Sequence, residues 1–222
     1  MTQLAFDATT HTYRAGNQLL PSVTQIISAQ GLGPDYSAVP PATLMRKAIT
    51  GTKVHGKCQM VLQHGPRIME TWTHEEDALS NRYVDGFVRF LADTHYEQLG
   101  GEQPLADLDL GIAGTLDSYG WLNGWCIVVD FKTAISLHLK AAALQVHAYS
   151  LLLKATGALG WRAGDPTPHI EGYYALQLKP GAYKLVDVHR PGVHQVWLAA
   201  IEEFYGRGTP DTAEVLAEWR ER

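Results

Sequence analysis

Between Gly114 and Thr133 the chain reads "GTLDSYGWLNGWCIVVDFKT", which sets Asp117, Asp130 and Lys132 among apolar residues. Ionisable groups in an apolar stretch cost free energy unless they have partners or work to do. Side chains alternate along a strand, so Asp130 and Lys132 emerge on one face while Ile127, Val129 and Phe131 take the other. If the stretch from Gly111 to Tyr119 pairs antiparallel with this strand, Asp117 reaches the face of Asp130. Two carboxylates that close repel, and one of them tends to hold a proton. A divalent cation removes the repulsion. Hard oxygen donors suit Mg²⁺ or Mn²⁺, which keep several waters and complete their shell from substrate phosphate. Such an assembly meets the needs of phosphodiester hydrolysis. The metal polarises the phosphate and lowers the pKa of a bound water, and Lys132 orients that water and stabilises charge on the phosphorane. Burial lowers the pKa of Lys132 and two carboxylates raise it, so the sequence leaves the balance open. A bare D-x-K also occurs as an exposed strand-end salt bridge; the upstream "GTLD" and the buried-strand context weigh against that here.

The elements that must position these residues follow from local patterns. "IVVDF" is nearly continuous in apolar and β-branched residues, as in a strand buried on both faces. Asn123-Gly124 is a hairpin signal between it and the strand before. "LHLKAAALQVHAYSLLLKATG" reads as a helix stopped by Gly157, and "HIEGYYALQLKPGAYKLVDV" as a hairpin turning at Pro180-Gly181. Upstream, "FDATTHTYRAGNQLL" reads as two short strands turning at Gly16-Asn17. "SVTQIISAQ" is a short helix capped by Ser22 and ended by Gly31. A longer helix runs from Pro40-Pro41 to about His64, and a third from Thr73, where "THEE" forms a capping box of Thr73 with Glu76, to about Asp93. "HQVWLAAIEEFYG" and "TAEVLAEWRER" close the chain as helices. The expected fold class is α/β, a central mixed sheet flanked by helices, with the 222 residues forming a single domain.

Composition excludes several classes. The start, "MTQLAFDATT", lacks the basic and apolar regions of a signal peptide, and no run is apolar and long enough to span a membrane. Cys58 and Cys126 are the only cysteines and form no C-x-x-C pair. That argues against a cysteine-held zinc or iron–sulfur site and fits a reducing cytoplasm. There is no G-x-S-x-G elbow of a Ser-His-Asp hydrolase and no glycine-rich phosphate loop. The net charge of −5 does not by itself advertise a nucleic-acid binder. Its distribution is more telling: residues 42–67 carry five basic groups (Arg46, Lys47, Lys53, Lys57, Arg67) and no acid, residues 68–130 twelve acids and two arginines, and residues 131–190 seven basic groups and three acids. The pattern reads either as helix faces that differ by chance or as a basic surface around an acidic cluster.

An ordered set of motifs then resembles the PD-(D/E)xK nuclease superfamily, in its RecB-type and phage-exonuclease branch. The set is "GTKVH" (Gly51–His55), Gly101-Glu102, "GTLD" (Gly114–Asp117), "DFKT" (Asp130–Thr133) and "QVHAY" (Gln145–Tyr149). "LLPSVTQII" near the N-terminus is also similar to the opening of small exonucleases of the mitochondrial genome maintenance type. Leu116 stands where the superfamily's name has proline. The resemblance implies a restriction-endonuclease-like core and a catalytic trio of Asp117, Asp130 and Lys132. It implies metal ligation by His55, Asp117, Asp130 and the Phe131 backbone carbonyl, with Glu102 as a further ligand or a mere strand end. It gives support or DNA contact to Gln145, Tyr149 and Thr133. His55 lies on a helical stripe with Leu44, Ala48, Gly51, Cys58 and Leu62, so it points toward the core, where a histidine is often a satisfied packing residue instead of a ligand. Gln145 and Tyr149 share a helix face; His147 points elsewhere and has no argued role.

The activity implied is a Mg²⁺- or Mn²⁺-dependent DNA exonuclease of phage or prophage recombination or processing, acting in a bacterial cytoplasm on DNA ends or single strands, with a recombination protein as partner. A structure-specific or restriction-like endonuclease on the same fold is an alternative, and a non-catalytic DNA-binding module is another. Fold alone does not choose among them.

Overall fold

The computed structural model describes residues 4–7, 9–72, 74–157 and 169–221. In chain order the elements are strands β1 (Leu4–Asp7), β2 (Thr12–Ala15) and β3 (Gln18–Leu20), then helices α1 (Val23–Ala29), α2 (Pro41–His64) and α3 (His74–Thr94). Strands β4 (Glu97–Gly100), β5 (Gln103–Asp107), β6 (Ile112–Leu116), β7 (Ser118–Leu122) and β8 (Trp125–Lys132) follow, then α4 (Leu139–Thr156), β9 (Gly172–Lys179), β10 (Ala182–Asp187), α5 (Val193–Phe204) and α6 (Pro210–Glu221). A 3₁₀ turn, Pro66–Thr71, links α2 to α3.

The main sheet has the order β10-β9-β8-β7-β4. β8 runs parallel to β9 and antiparallel to β7, so the sheet is mixed. The apolar run of β8 explains its central place, because both its faces are covered. Cys126 and Val128 join a cluster built with α1, α4, α5 and α6, while Ile127, Val129 and Phe131 join one built with α2 and α3. The aromatic rings of Phe87, Phe90 and Phe131 pack together in the second cluster. Helices thus cover both faces of the sheet, and Asp130 and Lys132 continue the face that α4 covers. A parallel neighbour requires a crossover, and α4 supplies it between β8 and β9. No helix of the described residues is long and apolar enough to cross a membrane.

Most helix boundaries fall where the sequence places them. Ser22 caps α1, with Gln25 answering in a capping box. Pro41 sits in the first turn of α2, and Gly157 ends α4 in the left-handed region. Asn123 and Gly124, both at positive φ, turn β7 into β8. The N-terminal segment holds three strands, not two, because residues 4–7 also pair. β4 and β5 escape the sequence patterns: "EQLGGEQPLAD" has no alternation, and its Pro104 is tolerated because β5 pairs on one side only, with β6. The capping box expected at Thr73 and Glu76 lies outside the described residues. The largest correction concerns the strand expected from Gly111 to Tyr119. It is broken at Asp117: β6 pairs with β5 in a separate two-stranded sheet, and only β7 joins β8.

Candidate metal centre

The break at Asp117 creates the site. Ser118 opposes Val129, so Phe131 lies past the end of β7, and its N–H has no strand partner on that side. The Asp117 carboxylate takes that place. Its Oδ2 accepts the Phe131 N–H at 2.6 Å, and its Oδ1 lies 3.0 Å from His55 Nδ1. A second turn braces the first. Glu102 stands at φ 48, a conformation that non-glycine residues seldom adopt, and its N–H reaches the Leu116 carbonyl at 2.7 Å and the Asp117 carbonyl at 3.3 Å. Gly101 is required there, because a Cβ at that position would run into the Asp117 carbonyl.

His55 reaches the site from the other face of the sheet. The inward stripe of α2 is Val54, Cys58 and Val61; Leu44 is half-buried and Ala48 exposed, so the expected stripe is rotated. His55 flanks the true stripe, with 28% of its side chain exposed and its ring against Phe131. It is therefore a site residue at the rim, not a core histidine. Gly51, one turn earlier, faces Thr133, so α2 lies close to the chain just after β8.

From the α4 side, Asp130 is 1% exposed and its Oδ2 lies 2.6 Å from Lys132 Nζ. At that distance the Lys132 ammonium is the partner of this buried oxygen. Lys132 Nζ donates to Gln145 Oε1 at 2.8 Å, and Gln145 Nε2 donates to the buried Tyr149 hydroxyl at 3.0 Å. Tyr149 is seated by Gly114, where a Cβ would meet its ring at 2.8 Å. His147 faces away and pairs with His194 at 3.2 Å.

The charges depend on one another. Burial penalises the His55 imidazolium, but the Asp117 charge and hydrogen bond, with Asp130 behind them, outweigh it and raise its pKa to about 9. Burial raises Asp117, yet His55, Lys132 and the Phe131 N–H hold it below the usual carboxylate range. Asp130 lacks that backbone support; burial pushes it to about 6 against the pull of Lys132. Glu102 is exposed at the surface, yet partial desolvation of its carboxyl and the Asp117 charge raise it to about 7. Burial disfavours the Lys132 ammonium, but Asp130 and Asp117 prevail and raise its pKa, so it remains a cation. Cys58 is no rival ligand: burial, Asp117 and Glu102 keep its thiol protonated.

His55, Glu102 and Asp117 each offer a donor atom within 4.8 Å of the others, a set that could hold a metal ion. One imidazole nitrogen and two carboxylates make a donor set that fits a cation. Of the expected residues, Asp117, Asp130, Lys132, His55, Glu102, Gln145 and Tyr149 meet here, and Thr133 borders them. Phe131 contributes its N–H to Asp117. One contributor carried no sequence signal: Gln177, opposite Lys132 on β9, binds the loop after β8. No protein-family model matches the chain, and no curated protein matches it either.

Proposed function

We propose that this chain is a divalent-metal-dependent deoxyribonuclease of the PD-(D/E)xK kind, an exonuclease hydrolysing phosphodiester bonds in phage or prophage DNA recombination or processing. The observation that carries the reading is the junction itself: a lysine kept cationic beside a buried carboxylate, a second carboxylate fixed by a backbone N–H, and a histidine and glutamate converging with it. His55, Glu102 and Asp117, with Asp130 adjacent, would hold Mg²⁺ or Mn²⁺, which suit hard oxygen donors with one nitrogen. When bound, such an ion polarises a phosphate and acidifies its own water.

The chain's own groups supply the rest. The Lys132 ammonium is the donor nearest Asp130. It stabilises negative charge on the phosphate as water oxygen bonds to phosphorus and the bond to the leaving sugar oxygen breaks. Gln145 holds Lys132 in that position, and Tyr149, with a pKa raised well above its usual value, remains a neutral hydroxyl that anchors Gln145. His55, Lys132 and the Phe131 N–H keep Asp117 ionised, and the Phe131 N–H aims it.

The test is incubation with end-labelled linear DNA and with closed circular DNA, each with Mg²⁺ or excess chelator. Release of nucleotides from linear DNA alone, abolished by chelator, is expected. Nicking of the circle would make the enzyme an endonuclease. Cleavage that persists in chelator, or no cleavage with Mg²⁺ or with Mn²⁺ in its place, would remove the metal-nuclease reading.

A further inference from the structure

Three histidines from three segments meet at a cavity that no residue of the metal centre lines. His147 lies on α4, His189 in the loop after β10, and His194 in the first turn of α5. The cavity holds about 230 Å³, and Tyr173 and Arg190 line it beside them. His147 Nε2 and His194 Nδ1 stand 3.2 Å apart. A pair so close needs a free lone pair on at least one nitrogen, because two N–H groups would repel. Two Zn–N bonds of about 2.0–2.1 Å, meeting near the tetrahedral angle, set their nitrogens about 3.3 Å apart. The pair is thus already spaced as two neighbouring ligands of one ion, and the proton it shares is what an ion would replace.

The third imidazole stands at the same wall. His147 and His189 both set their rings against Tyr173, with centroids 6.0 and 5.8 Å away. His189 and His194 are exposed, so an ion reaches them from solvent and their rings can turn toward it. Arg190 brings a positive charge, but its guanidinium donates to the His189 carbonyl at 2.8 Å. The Asp187 carboxylate, which accepts the His189 N–H at 2.8 Å, brings a negative charge to the same loop. No carboxylate lines the cavity, so its donors are imidazoles, which suit Zn²⁺ and not the hard Mg²⁺.

We propose that His147 and His194, with His189 as third ligand, form a second metal site, which takes a borderline transition-metal ion of the Zn²⁺ class and ties α4 to α5 and to the loop after β10. The site is independent of the nuclease reading, because its donors are separate from those around Asp117 and Lys132. His147 and His194 are 47 residues apart, so folding alone brings them together, and an ion that needs both stabilises the folded chain by mass action.

The experiment titrates Zn²⁺ alone into the full chain by calorimetry and follows its melting temperature. It uses a His55→Gln background, so that the first centre does not compete. One Zn²⁺ per chain and a higher melting temperature are expected, and Mg²⁺ in large excess should not displace the ion. Adding His147→Ala or His194→Ala should weaken binding at least about tenfold, since even the loss of an outer-shell partner costs that much, and should remove the rise in melting temperature. His189→Ala should weaken binding as well, whereas His64→Ala, on an exposed histidine of α2, should leave it unchanged. His194 is exposed at the start of its helix, so His194→Ala decides the matter even where His147→Ala fails to fold. No Zn²⁺ binding in the background would overturn the proposal. Equal binding with and without His194 would leave an adventitious ion only and overturn it too, and unchanged binding in His189→Ala would overturn the three-histidine set. DNA cleavage is read separately and stands or falls without these results.

Discussion

In the proposed metal centre the His55 proton and the ion would compete for one imidazole, and the two readouts of that competition run in opposite directions with pH. Asp117 and Asp130 lift the His55 pKa from 6.5 to about 9. A raised pKa on a basic group stabilises the folded state fully below the unfolded value of 6.5, and that stability is lost as pH climbs through about 9. At 1.36 kcal/mol per unit the full change is about 3 kcal/mol, on the order of 10 °C in melting temperature for a chain of this size. The metal-free protein should therefore melt lower as pH rises from 6.5 to 9. Metal affinity should climb across the same window, about tenfold per pH unit below 9, because binding must expel the proton. Glu102, at about 7, contributes to proton release near neutrality, so the measurement is made at pH 8, where His55 is the remaining donor. Mn²⁺ titration by calorimetry in buffers of different ionisation enthalpy counts the protons released; close to one is expected. His55→Gln should flatten both the melting profile and the affinity profile and weaken Mn²⁺ binding. Proton-free binding in wild type, or the same pH slope in His55→Gln, would refute the reasoning.

Asp130→Asn should raise the melting temperature of the metal-free protein at neutral pH. Burial lifts the carboxyl from 3.8 to about 6, so its ionised form costs the fold about 3 kcal/mol above that pH. The gain should fade as pH drops toward 3.8 while DNA cleavage is lost at every pH, and a lower melting temperature throughout would count against the assignment. Gly101→Ala should destabilise by about 1–3 kcal/mol, since the new methyl meets the Asp117 carbonyl, and should weaken Mn²⁺ binding by displacing Asp117. Unchanged melting and unchanged Mn²⁺ titration would show that the close approach does not position the carboxylate.

The sequence exposes those parts of the site that local rules govern. Strand alternation puts Asp130 and Lys132 on one face, and helical spacing puts Gln145 and Tyr149 on another, as found. The break at Asp117 was not legible, because "GIAGTLDSYGW" carries the composition of one continuous strand. What interrupts it is a tertiary contact: the Glu102 N–H on the Leu116 carbonyl from a turn with no periodic signal. The same cause explains the misplaced stripe on α2. Its first half packs little, so burial is decided by Val54, Cys58 and Val61 in the second half, and a stripe read from spacing over the whole helix drifts.

The break also explains how the fold tolerates two buried carboxylates so close together. A continuous strand would bring Asp117 beside Asp130 on one face, with Lys132 as the sole cation for both. Turning the chain at Asp117 sends its carboxylate to the Phe131 N–H and to His55 on the opposite face, while Asp130 keeps Lys132. Each buried carboxylate thus has its own cation, which is the condition for tolerating charge in a core. The two cations are not equivalent. Lys132 is tied on by Gln145 and Tyr149 and stays, whereas His55 can surrender its proton, and only the histidine can exchange a proton for a metal bond. On the proposed reading the arrangement would separate the group that accepts an ion from the group that serves the phosphate, and it places the exchangeable proton at the rim, where His55 is partly exposed.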